Sequence, residues 1–265
     1  GRMLWGDWLP SWRASRAVAA STARTDAGRI KKHLEPRWGD IALVDITRHD
    51  VKIWSVELRD SGLSDSTVQR CVHLLSASLV AAVDAEMIGA NPAARLRLPK
   101  APPATHRYLT KSEANAIFAE LNQYDRFVAS LLIGTGMRYG EVAGLHKHQV
   151  DLDRGMLRVV EAWSTAGGHM EPYPKGRRAR SVPIPQWLVA LIRDHPNPST
   201  NCGSPHAAGK CRSGLIVWEP RVGGVMDESN SNWDRRWRAA VERAVITVDG
   251  DAKPVGDVRP HDLRH

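Results

Sequence analysis

Three short stretches hold side chains of the types that handle charge on an oxyanion. Arg138 follows a glycine-rich turn, Gly134-Thr135-Gly136-Met137, and stands three residues before Glu141. Lys175 is followed closely by Arg177, Arg178 and Arg180, and His261, Arg264 and His265 crowd into the last five positions. A guanidinium is always charged and offers a planar fork of donors that fits paired oxygens, whereas an ammonium is a compact charge whose pKa moves readily. Taken singly, each has a plain structural alternative. Arg138 and Glu141 could close a surface ion pair, Lys175 could cap a solvated hairpin tip, and His261 and Arg264 could be a cap and a salt bridge. A fourth stretch, with His195, Cys202, His206 and Cys211, contains ligand types that suit a structural zinc. It has no paired Cys-x2-Cys, and Gly, Pro, Ser and Asn surround it, so free side chains on an exposed insertion, with no metal, are the expectation.

The elements that must carry these residues follow from pattern. In the first hundred residues, Trp5, Trp8, Leu9 and Trp12 recur at helical spacing. A second helix is expected from about Thr22 to Leu34, stopped by Pro36, and a third from Thr47 to Arg59. Ser64 or Ser66 can cap a fourth, in which Val68, Cys71, Val72, Leu75, Leu79, Ala82 and Val83 form one apolar stripe. Arg70 and His73 lie beside that stripe, placed either for a phosphate backbone or as a solvated face. Pro99-Lys100-Ala101-Pro102-Pro103 breaks the periodicity and reads as a stiff connection. The expected domains are 1–97, helical, and 108–265, joined by a linker at 98–107. Thr110-Lys-Ser-Glu113 is a capping box that opens another helix, and Phe127 to Ile133 forms the next, leading into the glycine turn before Arg138. The valine-rich alternation from Met156 to Trp163 and the extended arms around Lys175 predict a small antiparallel sheet. Ser231 to Ala244 returns to helix. The fold class expected is mainly α with a small antiparallel β-sheet.

The 265 residues carry 37 Lys plus Arg against 29 Asp plus Glu, a formal charge of +8. That balance favours a polyanionic partner, nucleic acid first. Hydrophobic residues at 42% and charged residues at 25% exclude a disordered chain or a fibrous rod. Apolar runs look too short for a membrane span, and the first residues contain no signal-peptide core. Three cysteines, Cys71, Cys202 and Cys211, cannot build a disulfide framework and suit a reducing compartment. A soluble, cytoplasmic protein with a nucleic-acid partner is expected.

Taken together, Gly134-Thr-Gly-Met-Arg138-x-x-Glu141-Val-x-x-Leu145, Lys175 ahead of the Val182-Pro183 strand, and His261-x-x-Arg264-His265 resemble the tyrosine recombinase (phage integrase) family in order and local spacing. The resemblance implies an N-terminal core-binding (SAM-like) helical domain and an α+β catalytic domain of the DNA breaking-rejoining type. It also implies an activity: site-specific recombination for phage or mobile-element integration and excision, through a 3′-phosphotyrosyl intermediate and without metal or other cofactor. On this resemblance Arg138 and Arg264 hold the non-bridging oxygens, Lys175 protonates the leaving 5′-oxygen and His261 assists at the phosphate. Glu141 and His265 support them, and Arg70, His73, Arg177, Arg178 and Arg180 contact DNA. The implied partners are double-stranded attachment sites, a homotetramer on paired sites and an accessory DNA-bending protein, with no membrane. The family's nucleophilic tyrosine follows the His-x-x-Arg box, whereas Tyr108, Tyr124, Tyr139 and Tyr173 all precede it. The chain is therefore expected to be a fragment that binds DNA without cutting it. A type IB topoisomerase-like enzyme and a non-catalytic DNA-binding protein are the alternatives.

Overall fold

The structure, a computed structural model, describes residues 2–99, 107–174, 176, 178–195, 197–219, 221–227 and 232–264, the last without its side chain. The chain divides into two compact units, Gly1–Ala104 and Thr105–His265.

The first unit is helical: α1 (Trp5–Ser15), α2 (Ala20–Arg29), α3 (Glu35–Trp38), α4 (Arg48–Asp60) and α5 (Asp65–Asp84). Local chemistry sets the starts. Thr47 and Asp50 exchange capping bonds at α4, and Ser64 caps α5. Pro36 does not stop the second helix as expected. A single π turn, Ile30–Leu34, links α2 to α3, with the Glu35 N–H bonded to Ile30 O. The wider turn relieves the clash that a proline ring makes with the preceding helical turn, and the chain stays helical through Trp38. Indoles tie the layers together: Trp5 Nε1 donates to Ser78 Oγ at 2.9 Å and Trp8 Nε1 to Ser78 O at 3.1 Å, fastening α1 to α5. Trp38 meets Trp54 edge-on at 5.5 Å. At 20 residues, α5 is long and apolar enough to pass for a membrane span, contrary to expectation. It instead buries Val68, Cys71, Val72, Leu75, Leu79 and Ala82 in this core and exposes Arg70 and His73.

The second unit mixes helices and short strands. The helices α6 (Lys111–Glu120), α7 (Gln123–Thr135) and α8 (Tyr139–Ala143) come first. The strands β1 (Val150–Asp151), β2 (Met156–Val159), β3 (Ala162–Ser164), β4 (His169–Glu171) and β5 (Arg180–Pro183) follow, then α9 (Gln186–Asp194), α10 (Trp233–Arg243), β6 (Val245–Val248), β7 (Asp251–Pro254) and a 3-10 turn, Pro260–Arg264. The strands form three antiparallel groups: β1-β2-β5, β3-β4 and β6-β7. Two expectations change here. Met156 to Trp163 is divided between two sheets, and the arms flanking Lys175 do not pair, since β4 joins β3 while β5 joins β2 with Arg180 opposite Val159. Phe127, Val128, Leu131 and Leu132 of α7, Leu188 of α9 and Trp233, Trp237 and Ala240 of α10 fill the core. Trp237 Nε1 donates to Val258 O at 2.7 Å and anchors the segment that enters the last turn.

Candidate functional site

Gly136 ends α7 in the left-handed region, φ +61°, a conformation with little cost only for glycine. The chain then buries Met137 and places Arg138, extended, at the start of α8. Glu141 reaches back one turn and accepts the Arg138 backbone N–H at 2.8 Å on Oε2 and Arg138 Nη1 at 3.2 Å on Oε1. From β5, Arg180 closes a two-pronged pair on the same carboxylate, Nη1 to Oε1 at 2.9 Å and Nη2 to Oε2 at 2.6 Å. The Glu141 side chain is 1% exposed, while the Arg138 and Arg180 side chains are 40% and 34% exposed. A buried carboxylate thus holds two guanidiniums at a surface. Burial pushes the Glu141 carboxyl up, but the Arg180 hydrogen bonds, the Arg138 backbone N–H and the two positive charges together hold it below its ordinary value.

Glycines also place α8. A Cβ at Gly140 would stand 2.7 Å from Trp163 O, and one at Gly144 would stand 2.8 Å from Trp163 N. The helix therefore lies directly on the β3 backbone. A second buried pair braces α7 against α10: Arg236 Nε and Nη2 donate to Asp125 at 2.6 and 2.7 Å, with Glu219 Oε2 at 3.9 Å.

His261 is exposed in the 3-10 turn, beside the buried Asp262 and Leu263, and lines a 420 Å³ cleft with Tyr139, Trp233, Trp237 and Arg259. Asp262 starts that turn by accepting the Arg259 N–H at 2.8 Å. Arg264 continues the turn, its side chain outside the described residues, as are Lys175, Arg177 and His265 entirely. Arg178 is exposed just before β5. Arg70 and His73 are exposed on α5, in the other unit.

Sequence reasoning grouped Arg180 with the DNA-contacting arginines and missed its pairing with Glu141. The alternation along Arg180-Ser181-Val182-Pro183, half-buried then exposed, was an available sign that Arg180 turns inward. The expectation for the His195–Cys211 stretch also changes. Cys202 is fully buried, and His195 stacks on Phe127 at 3.7 Å, away from the sulfurs. Its place beside them is taken by His146, fully buried, with Nε2 at 3.6 Å from Cys211 Sγ.

A family profile described as the phage integrase family matches residues 107–265. Tyrosine recombinase XerA of Thermococcus kodakarensis is 32% identical over 168 residues, covering 62% of this chain and 51% of that protein. The chain spans about half the length of the curated relatives it matches. In fold it is similar to the Tn1549 transposon integrase solved with transposon right end DNA, with a TM-score of 0.74 and 18% identity over 99% of this chain and 84% of that one. It is also similar to lambda integrase solved as a tetramer bound to a Holliday junction, with a TM-score of 0.72 and 18% identity over 99% of this chain and 71% of that one.

Proposed function

The chain belongs to the phage integrase family, and on that premise we propose that it serves site-specific DNA recombination, binding duplex attachment sites and supplying the phosphate-binding part of a tyrosine recombinase centre. The observation that carries the reading is Arg138, half-exposed at a helix start and held by the buried Glu141 carboxylate. A guanidinium fixed before the substrate arrives needs no reorganisation as charge develops on a phosphoryl oxygen, which is where a positioned donor acts most strongly.

In this reading a tyrosine oxygen attacks the phosphorus, the bond to the 5′-oxygen breaks, and that oxygen takes a proton as it leaves. Arg138 and Arg264 hold the two non-bridging oxygens, Lys175 gives the proton, and His261 hydrogen-bonds the phosphate. Glu141 touches no substrate and acts by positioning Arg138, and Arg180 extends that role by fixing Glu141 from the β5 side. The 3′-phosphotyrosyl bond keeps the energy of the broken linkage for rejoining. The nucleophile this chemistry needs is a tyrosine after the His-x-x-Arg box. Arg70, His73, Arg177 and Arg178 supply phosphate contacts from the two units, and paired sites bring four copies together.

Duplex binding by the chain should weaken steeply as salt rises, since each neutralised phosphate releases counterions. Covalent trapping on a nicked duplex, by a protein extended with a tyrosine-bearing segment after the His-x-x-Arg box, tests the chemistry. Arg138→Ala should lower trapping by roughly 10²–10³ while duplex affinity changes less than about tenfold. Undiminished trapping would remove Arg138 from the centre. Binding with no covalent product in the extended protein would leave the non-catalytic reading.

A further inference from the structure

We propose that His146, Cys202, His206 and Cys211 form a structural zinc site that ties the long segment before α10 to the turn between α8 and β1. This inference stands apart from the recombination chemistry. One ligand atom from each of the four side chains lies within 4.8 Å of all the others. Cys202 Sγ is 3.3 Å from His206 Nε2, and Cys211 Sγ is 3.6 Å from His146 Nε2. With metal–sulfur and metal–nitrogen bonds of about 2.3 and 2.05 Å, a tetrahedral zinc places its sulfur and nitrogen ligands about 3.6 Å apart. The pairs are therefore already at coordination spacing, with two sulfurs and two imidazoles, a set that zinc favours over hard cations.

The surroundings orient both imidazoles the same way. Glu161 is 2.9 Å from His146 Nδ1 through Oε1 and 3.4 Å from His206 Nδ1 through Oε2. His146 Nδ1 also stands 2.8 Å from Gly144 O. With both Nδ1 atoms turned to one carboxylate, His146 within hydrogen-bond reach of it and His206 at ion-pair distance, each ring presents its Nε2 to a sulfur, the arrangement found behind metal-bound histidines. Gln149 donates in turn to Glu161. The Cys202 backbone N–H points at Cys211 Sγ at 3.3 Å, a donor that favours a thiolate there. Two thiolates neutralise the dication, and binding sends their two protons to solvent.

The segment itself gives the site something to do. From Asn197 to Gly214 the described residues include no helix and no strand longer than the single bridge at His206, and most are exposed. So long an irregular stretch has little apolar surface to hold it in a compact unit. Backbone bonds meet it at two places, Met170 N–H to Pro205 O and Ala207 N–H to Met170 O on β4, and Ile216 N–H to Leu145 O beside His146. A zinc at the four side chains would lock the segment to the His146 turn that directly follows α8.

The test is metal content with unfolding. The chain, purified under reducing conditions, loaded with zinc and desalted, should hold one zinc per chain. Cobalt in its place should show thiolate-to-metal charge transfer and the strong visible bands of a tetrahedral site. Cys202→Ser with Cys211→Ser, and separately His206→Asn, should cut the zinc to less than about one tenth. His148→Asn and His195→Asn, which alter the neighbouring histidine and the one picked out by sequence, should retain it. A strong chelator should lower the melting temperature of the parent and leave the cysteine double variant unmoved, a readout that survives even if that variant is weakened. No stoichiometric zinc in the parent, zinc retained by the double variant, or zinc lost from His195→Asn would each overturn the proposal.

Discussion

Replacing Glu141 by Gln removes the negative charge that Arg138 and Arg180 share and keeps nearly the same shape. The Gln oxygen, in the place of Oε2, can still accept the Arg138 N–H and Arg180 Nη2, but its NH2 then stands donor against donor where Oε1 now accepts Arg180 Nη1 at 2.9 Å and Arg138 Nη1 at 3.2 Å. Breaking a fully buried pair from one side costs about 3–5 kcal/mol. Here the carboxylate is 1% exposed but the arginines are 40% and 34% exposed and can rehydrate, so about 2 kcal/mol is expected, within the range for hydrogen bonds to charged groups. For a unit of this size that lowers the melting temperature by roughly 4–8 °C. The pH dependence has a defined sign. The folded-state pKa of Glu141 is depressed, so its contribution is complete above the unfolded value of about 4.3 and is lost as pH falls through the lower, folded one. Urea unfolding of parent and Glu141→Gln, followed by near-ultraviolet dichroism, should give a stability gap that is full at neutral pH and closes below about pH 4. Adding Arg180→Met completes a double-mutant cycle, with an expected coupling of about 1–2 kcal/mol. A gap under about 0.5 kcal/mol at neutral pH, or one that does not change with pH, would refute the view that this carboxylate is the charged anchor of the pair.

Other consequences can be checked in the same way. Gly144→Ala sets a Cβ 2.8 Å from Trp163 N and 3.1 Å from Ala162 C, both backbone, and should cost about 1–3 kcal/mol by forcing α8 off β3. Chemical denaturation that finds it neutral would mean the contact is looser than the structure has it. Arg236→Ala strands the two-pronged partner Asp125, 1% exposed, while Glu219 keeps Arg221 at 3.7 Å; it should cost about 3–5 kcal/mol, with Asp125→Asn in the same chain restoring part of the loss. A double variant weaker than Arg236→Ala alone would contradict that account.

Much of this protein was legible in its residues because much of its chemistry is local. The Thr110–Glu113 capping box, the tryptophan spacing of α1, the stripe of α5 and the glycine turn before Arg138 each join residues within a turn or two, and each appears where the pattern places it. The three-residue step from Arg138 to Glu141 belongs to the same class. The Asp249-Gly250 turn between β6 and β7 is a left-handed pair typical of hairpins, but only Val245–Val248 before it is rich in strand formers, while Asp251-Ala-Lys-Pro254 after it gives no strand signal. Pro36 shows the limit of a local rule, since one wider turn upstream let the helix pass it. What the tertiary structure decided was partnership at a distance. Arg180 pairs with a carboxylate 39 residues away only because β5 docks on β2 in one register. His146 meets Cys211 across 65 residues because its segment pairs with Leu215, while His195, much nearer in sequence, is held on Phe127. Spacing along a chain constrains neighbours through backbone geometry, but which distant side chains meet is set by sheet register and core packing, and those exist only once the chain has folded.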